Sequence, residues 1–115
     1  MQDNQGENIM LKVTSPKVRH WGLLQDRLID KAKEIVAEAA ADAERWARAG
    51  TPVKTGYARS RWLTTERIDG FFISNDAPYI EKLDAGSSAQ APAGITPGVR
   101  SRLKAKYSGR GGLLF

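Results

Sequence analysis

Thr51-Pro52-Val53-Lys54-Thr55-Gly56-Tyr57-Ala58-Arg59-Ser60 is followed by a hairpin-like stretch, then by Asn75-Asp76-Ala77-Pro78-Tyr79-Ile80-Glu81-Lys82-Leu83-Asp84-Ala85-Gly86 and by Ser87-Ser88-Ala89-Gln90-Ala91-Pro92-Ala93-Gly94-Ile95. This run decides the fold. It is a series of stops, caps and turns with apolar residues between them, the pattern of a compact scaffold with ordered loops. Between its first and second pieces, Trp62 to Ile68 and Phe71 to Asn75 read as two strands joined across Asp69-Gly70. Asp-Gly is a preferred two-residue hairpin loop, because both positions tolerate positive φ. That loop would set Ile68 opposite Phe71, Glu66 opposite Ile73 and Thr64 opposite Asn75. Trp62, Ile68, Phe71 and Ile73 then share one face, the expected core face. Leu63, Thr65, Arg67 and Phe72 share the other.

Upstream, Leu24, Leu28, Ala32, Ile35, Ala39, Ala43 and Trp46 recur at three- and four-residue steps and predict a helix from Leu23 to Arg48. Asp26 and Asp30 near its start and Arg45 and Arg48 in its last turn suit the helix dipole. Gly50 and Pro52 supply the stop. The alanines from Ala39 to Ala43 allow a sheet or second helix to approach closely. Ile9 to Val13 reads as a short strand, and residues 1–8 as a disordered N-terminus. Thr55 is placed to cap a short turn ending at Arg59. Asn75 or Asp76 is placed to cap a second short helix, with Pro78 in its first turn, Tyr79 and Leu83 on one face, and Gly86 past its end. Thr96-Pro97 repeats the cap-plus-proline opening. Val99 to Tyr107 fits a helix face through Val99, Leu103 and Tyr107, and also fits an alternating strand. The Thr96-Pro97 opening favours the helix.

The chain of 115 residues suits one domain, and its 41% hydrophobic content supports a modest core. The fold class expected is α+β: a long amphipathic helix packed on a small antiparallel sheet, with short helices around it. Cysteine is absent, which removes disulfides and thiolate chemistry. No apolar stretch approaches the ~20 residues of a membrane helix. Net charge is +5. Residues 1–50 carry eight basic and eight acidic side chains, and residues 51–97 five of each. Residues 98–115 carry Arg100, Arg102, Lys104, Lys106 and Arg110 with no acid. The whole excess therefore lies in the last eighteen residues. These divide the chain into a 9–97 domain and a 98–115 basic segment whose Leu113-Leu114-Phe115 end is tethered through the glycines of 109–112. Loosely ordered alone, such a segment would dock on an acidic partner, its cations guiding and its apolar end locking.

Candidate chemistry is sparse. His20 is the single histidine and has no cysteine or Gly-x-Ser-x-Gly segment to work with. Asp26 and Asp30, one turn apart, match a solvated helix face better than an acid–base pair. Gly109-Arg110-Gly111-Gly112 lacks the strand and helix that position a phosphate loop. The expectation is a non-enzyme without cofactor or metal. Trp46 and Trp62 read as core, and Trp21, ahead of the main helix, as an interface anchor. With Tyr107 as a stacking ring, the basic segment could instead grip nucleic acid.

Taken in order, the Pro-Val-x-Thr-Gly-x-x-Arg-x-Ser segment (52–60), the hairpin, the Asn-x-x-Pro-Tyr element (75–79), Gly86 and the loop Gln90-Ala91-Pro92-Ala93-Gly94 resemble one family. It is that of the small neck or tail-completion proteins (minor tail components) of tailed bacteriophages. The resemblance covers roughly residues 23–97. It implies a virion structural protein of the head–tail junction, assembled in the host cytoplasm. Its partners would be connector, neck or tail proteins and further copies of itself in a ring around the DNA channel. The family continues from the proline-containing loop into a longer helix, where this chain has Pro97, a basic stretch and a glycine-rich end.

Overall fold

A computed structural model describes residues 8–15, 26–52, 56–67, 70–86, 92–109 and 113–115. The fold is α+β, with one long helix packed on a three-stranded antiparallel sheet. In chain order the elements are β1 (Asn8–Thr14), α1 (Asp26–Gly50), α2 (Tyr57–Ser60), β2 (Trp62–Arg67), β3 (Gly70–Asn75), α3 (Ile80–Asp84) and α4 (Thr96–Tyr107). β3 is central, in the order β1-β3-β2. Its six residues, Gly-Phe-Phe-Ile-Ser-Asn, are all buried, as a strand covered on both sides requires.

The core forms between α1 and one sheet face. Leu11 and Val13 from β1, Trp62 from β2, and Phe71 and Ile73 from β3 meet Ile35, Val36, Ala39, Ala40, Ala43 and Ala47 of α1. The helical stripe is mostly alanine, so the aromatic side chains of the sheet fill the space that larger helix residues would otherwise take. Trp46, expected in this stripe, is only half-buried; Ala47 takes its place in the core. Leu24 lies outside the described residues, as does the side chain of Leu28. The helix ends where Thr51 turns back. Its N–H donates to the Arg48 carbonyl at 3.2 Å and its hydroxyl to the Ala47 carbonyl at 2.6 Å.

The hairpin register differs from the expected one. Arg67 pairs with Gly70, Glu66 with Phe71, Thr64 with Ile73 and Trp62 with Asn75. The pairing is displaced by two residues, so Gly70 is a strand residue and not half of the loop; Asp69 lies outside the described residues. A two-residue displacement keeps side-chain parity. Trp62, Phe71 and Ile73 therefore face the core as expected, and Leu63 remains exposed. Phe72, on the opposite face, is buried with the Arg67 guanidinium 5.3 Å from its ring centre.

β1 begins at Asn8, within the stretch expected to be disordered, and carries a bulge between Ile9 and Leu11. Its far end is paired by the C-terminus: Thr14 and Leu114 exchange backbone hydrogen bonds of 3.1 and 2.7 Å.

Candidate interaction surfaces

The motif residues between positions 51 and 86 prove to be fasteners of the scaffold. Gly56, with φ of 77°, is the N-cap of α2; Thr55 lies outside the described residues. Arg48 of α1 donates to the carbonyls of Arg59 and Trp62, each at 3.0 Å, and to Glu44. The Trp62 indole N–H donates to the Thr51 hydroxyl at 2.7 Å. Glu44 also accepts from the Thr64 hydroxyl at 2.5 Å. The α2–β2 junction is thus bolted to the end of α1. Asn75 is buried: its amide N–H donates to the Ala58 carbonyl, and its oxygen accepts from the Ala77 N–H, both at 2.9 Å. Asp76 turns away to a two-point pair with Arg61, 2.6 Å at each oxygen. That pair holds the Asp76 carboxyl below its ordinary range.

Pro78 precedes α3 in a turn and does not lie within it, and Tyr79 is exposed; Ile80 is the core residue of that helix. Gly86 follows α3 with φ of 92°, and a Cβ there would lie 2.3 Å from the Pro92 carbonyl oxygen. Both the turn and the returning loop require glycine. No side chain of α3's own start caps it. Asp84, at its end, instead caps α4: one oxygen accepts from the N–H groups of Ile95 and Thr96 at 3.0 and 2.7 Å, and the other from the Thr96 hydroxyl at 2.7 Å. Thr96 therefore bonds to a cap and does not act as one. Sequence reading missed Asp84, although an acid at a helix C-terminus is a warning sign, since the dipole disfavours it there.

The basic segment is helical, as the Thr96-Pro97 opening suggested, and it is part of the domain. A boundary at residue 97 would cut α4 in its first turn. Val99, Leu103 and Tyr107 are buried in the same core as α1 and β1. At about 1.5–3 kcal/mol per large buried side chain, detaching them would cost a large part of the 5–15 kcal/mol that holds a domain together. Leu113 belongs to that core, Phe115 packs against it, and Leu114 alone points outward, 58% exposed. The apolar end expected to lock onto a neighbour is docked on its own chain. Amide hydrogen exchange in the isolated protein should accordingly be slow at Leu103 and Tyr107, comparable with β3. Exchange as fast as in an unfolded peptide would show that the segment is a tail.

Asp42 fixes α4 to α1. Its carboxylate is buried and accepts from the Tyr107 hydroxyl at 2.5 Å, Lys106 Nζ at 2.7 Å and Arg45 at 2.6 Å. Burial pushes its pKa up, but the bonds from Lys106 and Tyr107 and the charges of Lys106 and Arg45 outweigh that and hold it below the ordinary value. Burial and the Asp42 charge push the Tyr107 hydroxyl well above the usual phenol range. Tyr107 is therefore no stacking ring. Beside it, Arg102 lies 4.7 Å from the Trp46 ring centre, and Arg45 and Lys106 approach the same ring. Trp21 and Arg110 lie outside the described residues, as does His20.

Clefts beside β2 are lined by Arg61, Trp62, Leu63 and Asp76, and by Ala41, Glu44, Arg48 and Thr64. Arg61 is bonded to Asp76 in the first and Arg48 to Glu44 in the second, where Glu66 and Arg45 also lie. Among the described residues no three His, Cys, Asp or Glu side chains group as metal ligands, and no helix is long and apolar enough to cross a membrane. No protein-family model, curated protein or solved structure matches this chain.

Proposed function

We propose that the chain is a non-catalytic structural protein of the tailed-phage head–tail junction, a neck or tail-completion factor that joins tail to connector. The observation that carries this reading is the ordered series of motifs from Pro52 to Gly94. Where described, those motifs serve the scaffold: Gly56 opens α2, Asn75 ties β3 to α2, and Gly86 and Pro92 close the turn before α4. Such a scaffold presents fixed surfaces to neighbours, which is what a joint between two preassembled parts needs. Its partners would be connector, neck or tail proteins and further copies of itself. A phage lacking the protein should accumulate DNA-filled heads and separate tails by electron microscopy. Normal yields of joined, infectious particles would remove the reading.

A further inference from the structure

α4 contains four cations and no acid. They fall into two rows, one on each flank of the buried Val99–Leu103–Tyr107 stripe. Arg102 and Lys106, four residues apart, lean toward α1, where Trp46, Asp42 and Glu38 hold them: Lys106 Nζ is 3.5 Å from Glu38 and 2.7 Å from Asp42. Arg100 and Lys104, also four apart, form the other row, and no ion pair to either is found among the described residues. Between the rows the exposed crown is Pro97, Gly98, Ser101, Ala105 and Ser108, none of them large.

We propose that this face of α4 binds the phosphates of duplex DNA without regard to sequence. Phosphate binding needs cations at suitable spacing and little else. A protein partner would need apolar anchors at the centre of the contact, and α4 has spent Val99, Leu103 and Tyr107 on its own core. A single strand would need an aromatic platform. Tyr107 is buried and Trp46 is covered by Arg102, so α4 offers none. The small crown lets a sugar–phosphate backbone come close, and the Ser101 and Ser108 hydroxyls can donate to it. Trp46 and Asp42 hold Arg102 and Lys106 in place beforehand, which lowers the ordering cost of binding. Counting Arg45, Glu38 and Asp42 with the four cations of α4, the surface holds five positive and two negative charges. The inference does not depend on the head–tail reading.

The test is fluorescence anisotropy of the full chain with a short mixed-sequence duplex, the matching single strand and polyglutamate, between about 50 and 200 mM salt. Duplex binding should weaken steeply with salt. In the Arg100→Gln/Lys104→Gln variant the slope of log K against log salt should fall by about 2, and affinity at about 50 mM by about tenfold or more. Neither side chain touches the Asp42 cluster, so the variant's melting temperature should match wild type, and Lys82→Gln should change neither slope nor affinity. Three outcomes would overturn the proposal: no duplex binding at the lowest salt, an unchanged salt slope in the folded double variant, or tighter binding to polyglutamate or the single strand than to the duplex.

Discussion

Gly70→Ala should be strongly destabilising for a single added methyl, costing about 3 kcal/mol or more. Overpacking a well-ordered interior costs about 1–3 kcal/mol even where side chains can move aside. At Gly70 they cannot help. A Cβ there would lie 2.1 Å from the Val13 carbonyl oxygen and 2.8 Å from the Thr14 Cα, both backbone atoms. Relief requires β1 to separate from β3 at the Thr14–Gly70 pair. That movement would disturb Leu11 and Val13 in the core and the Thr14–Leu114 bridge. Gly98→Ala is the control: a Cβ there meets nothing within 4 Å, and alanine in a helix is favoured over glycine by about 1 kcal/mol. Urea midpoints of the two variants should move in opposite directions. A Gly70→Ala midpoint equal to wild type would mean that β1 does not pack as described.

The second large effect should come from Asp42→Ala, at about 2–3 kcal/mol. The buried Tyr107 hydroxyl would lose its Asp42 acceptor and keep only Glu38 beside it, and Lys106 and Arg45 would lose the same carboxylate, at about 1–3 kcal/mol for hydrogen bonds to a charged group. Lys106 is 41% exposed at its side chain and can turn to water, so the loss stays below that of a fully buried ion pair. Tyr107→Phe, which removes the donor and leaves the carboxylate with Lys106 and Arg45, should cost about 1 kcal/mol. The pH dependence has a definite sign. Because the folded protein holds Asp42 below its ordinary value, its contribution is full above the unfolded pKa of about 3.9 and is lost as pH falls through the lower folded value. Asp42→Asn should flatten the stability profile in that acid range and change it little near neutrality beyond a constant offset. Equal acid sensitivity of wild type and Asp42→Asn would contradict the arrangement.

What could be read from the sequence was local. The three- and four-residue steps of Ala32, Ile35, Ala39 and Ala43 report α1 because one helix face is buried along its length. The faces of the hairpin were legible because alternation survives any displacement by two. Its register was not, because Asp69-Gly70 carries a strong local turn signal while the demand on Gly70 comes from Val13, far away in sequence. The sheet order was hidden for the same reason, though the run Phe71-Phe72-Ile73 was a clue to a strand covered on both sides.

The C-terminus shows the limit most clearly. Its cations and glycines have the composition of a tether, and composition cannot report that Leu114 returns to Thr14 or that Tyr107 reaches Asp42. The stripe Val99, Leu103 and Tyr107 was the available signal for a docked helix. Asp42, one step from the alanine stripe, was the signal for a buried partner. Reading the two together would have required knowing that the helices touch.

Integration of the basic segment changes how the proposed joint would work. Under the proposed reading, with α4 already docked on the core, joining should need only the folded protein and the two parts. The most direct measurement is reconstitution. Purified protein is added to DNA-filled heads and free tails made in its absence, and joined particles are counted by electron microscopy alongside infectious titre. The account predicts that both rise with added protein and that the protein is retained in the joined particles. Heads and tails that stay apart at saturating protein, or that join equally well without it, would contradict it.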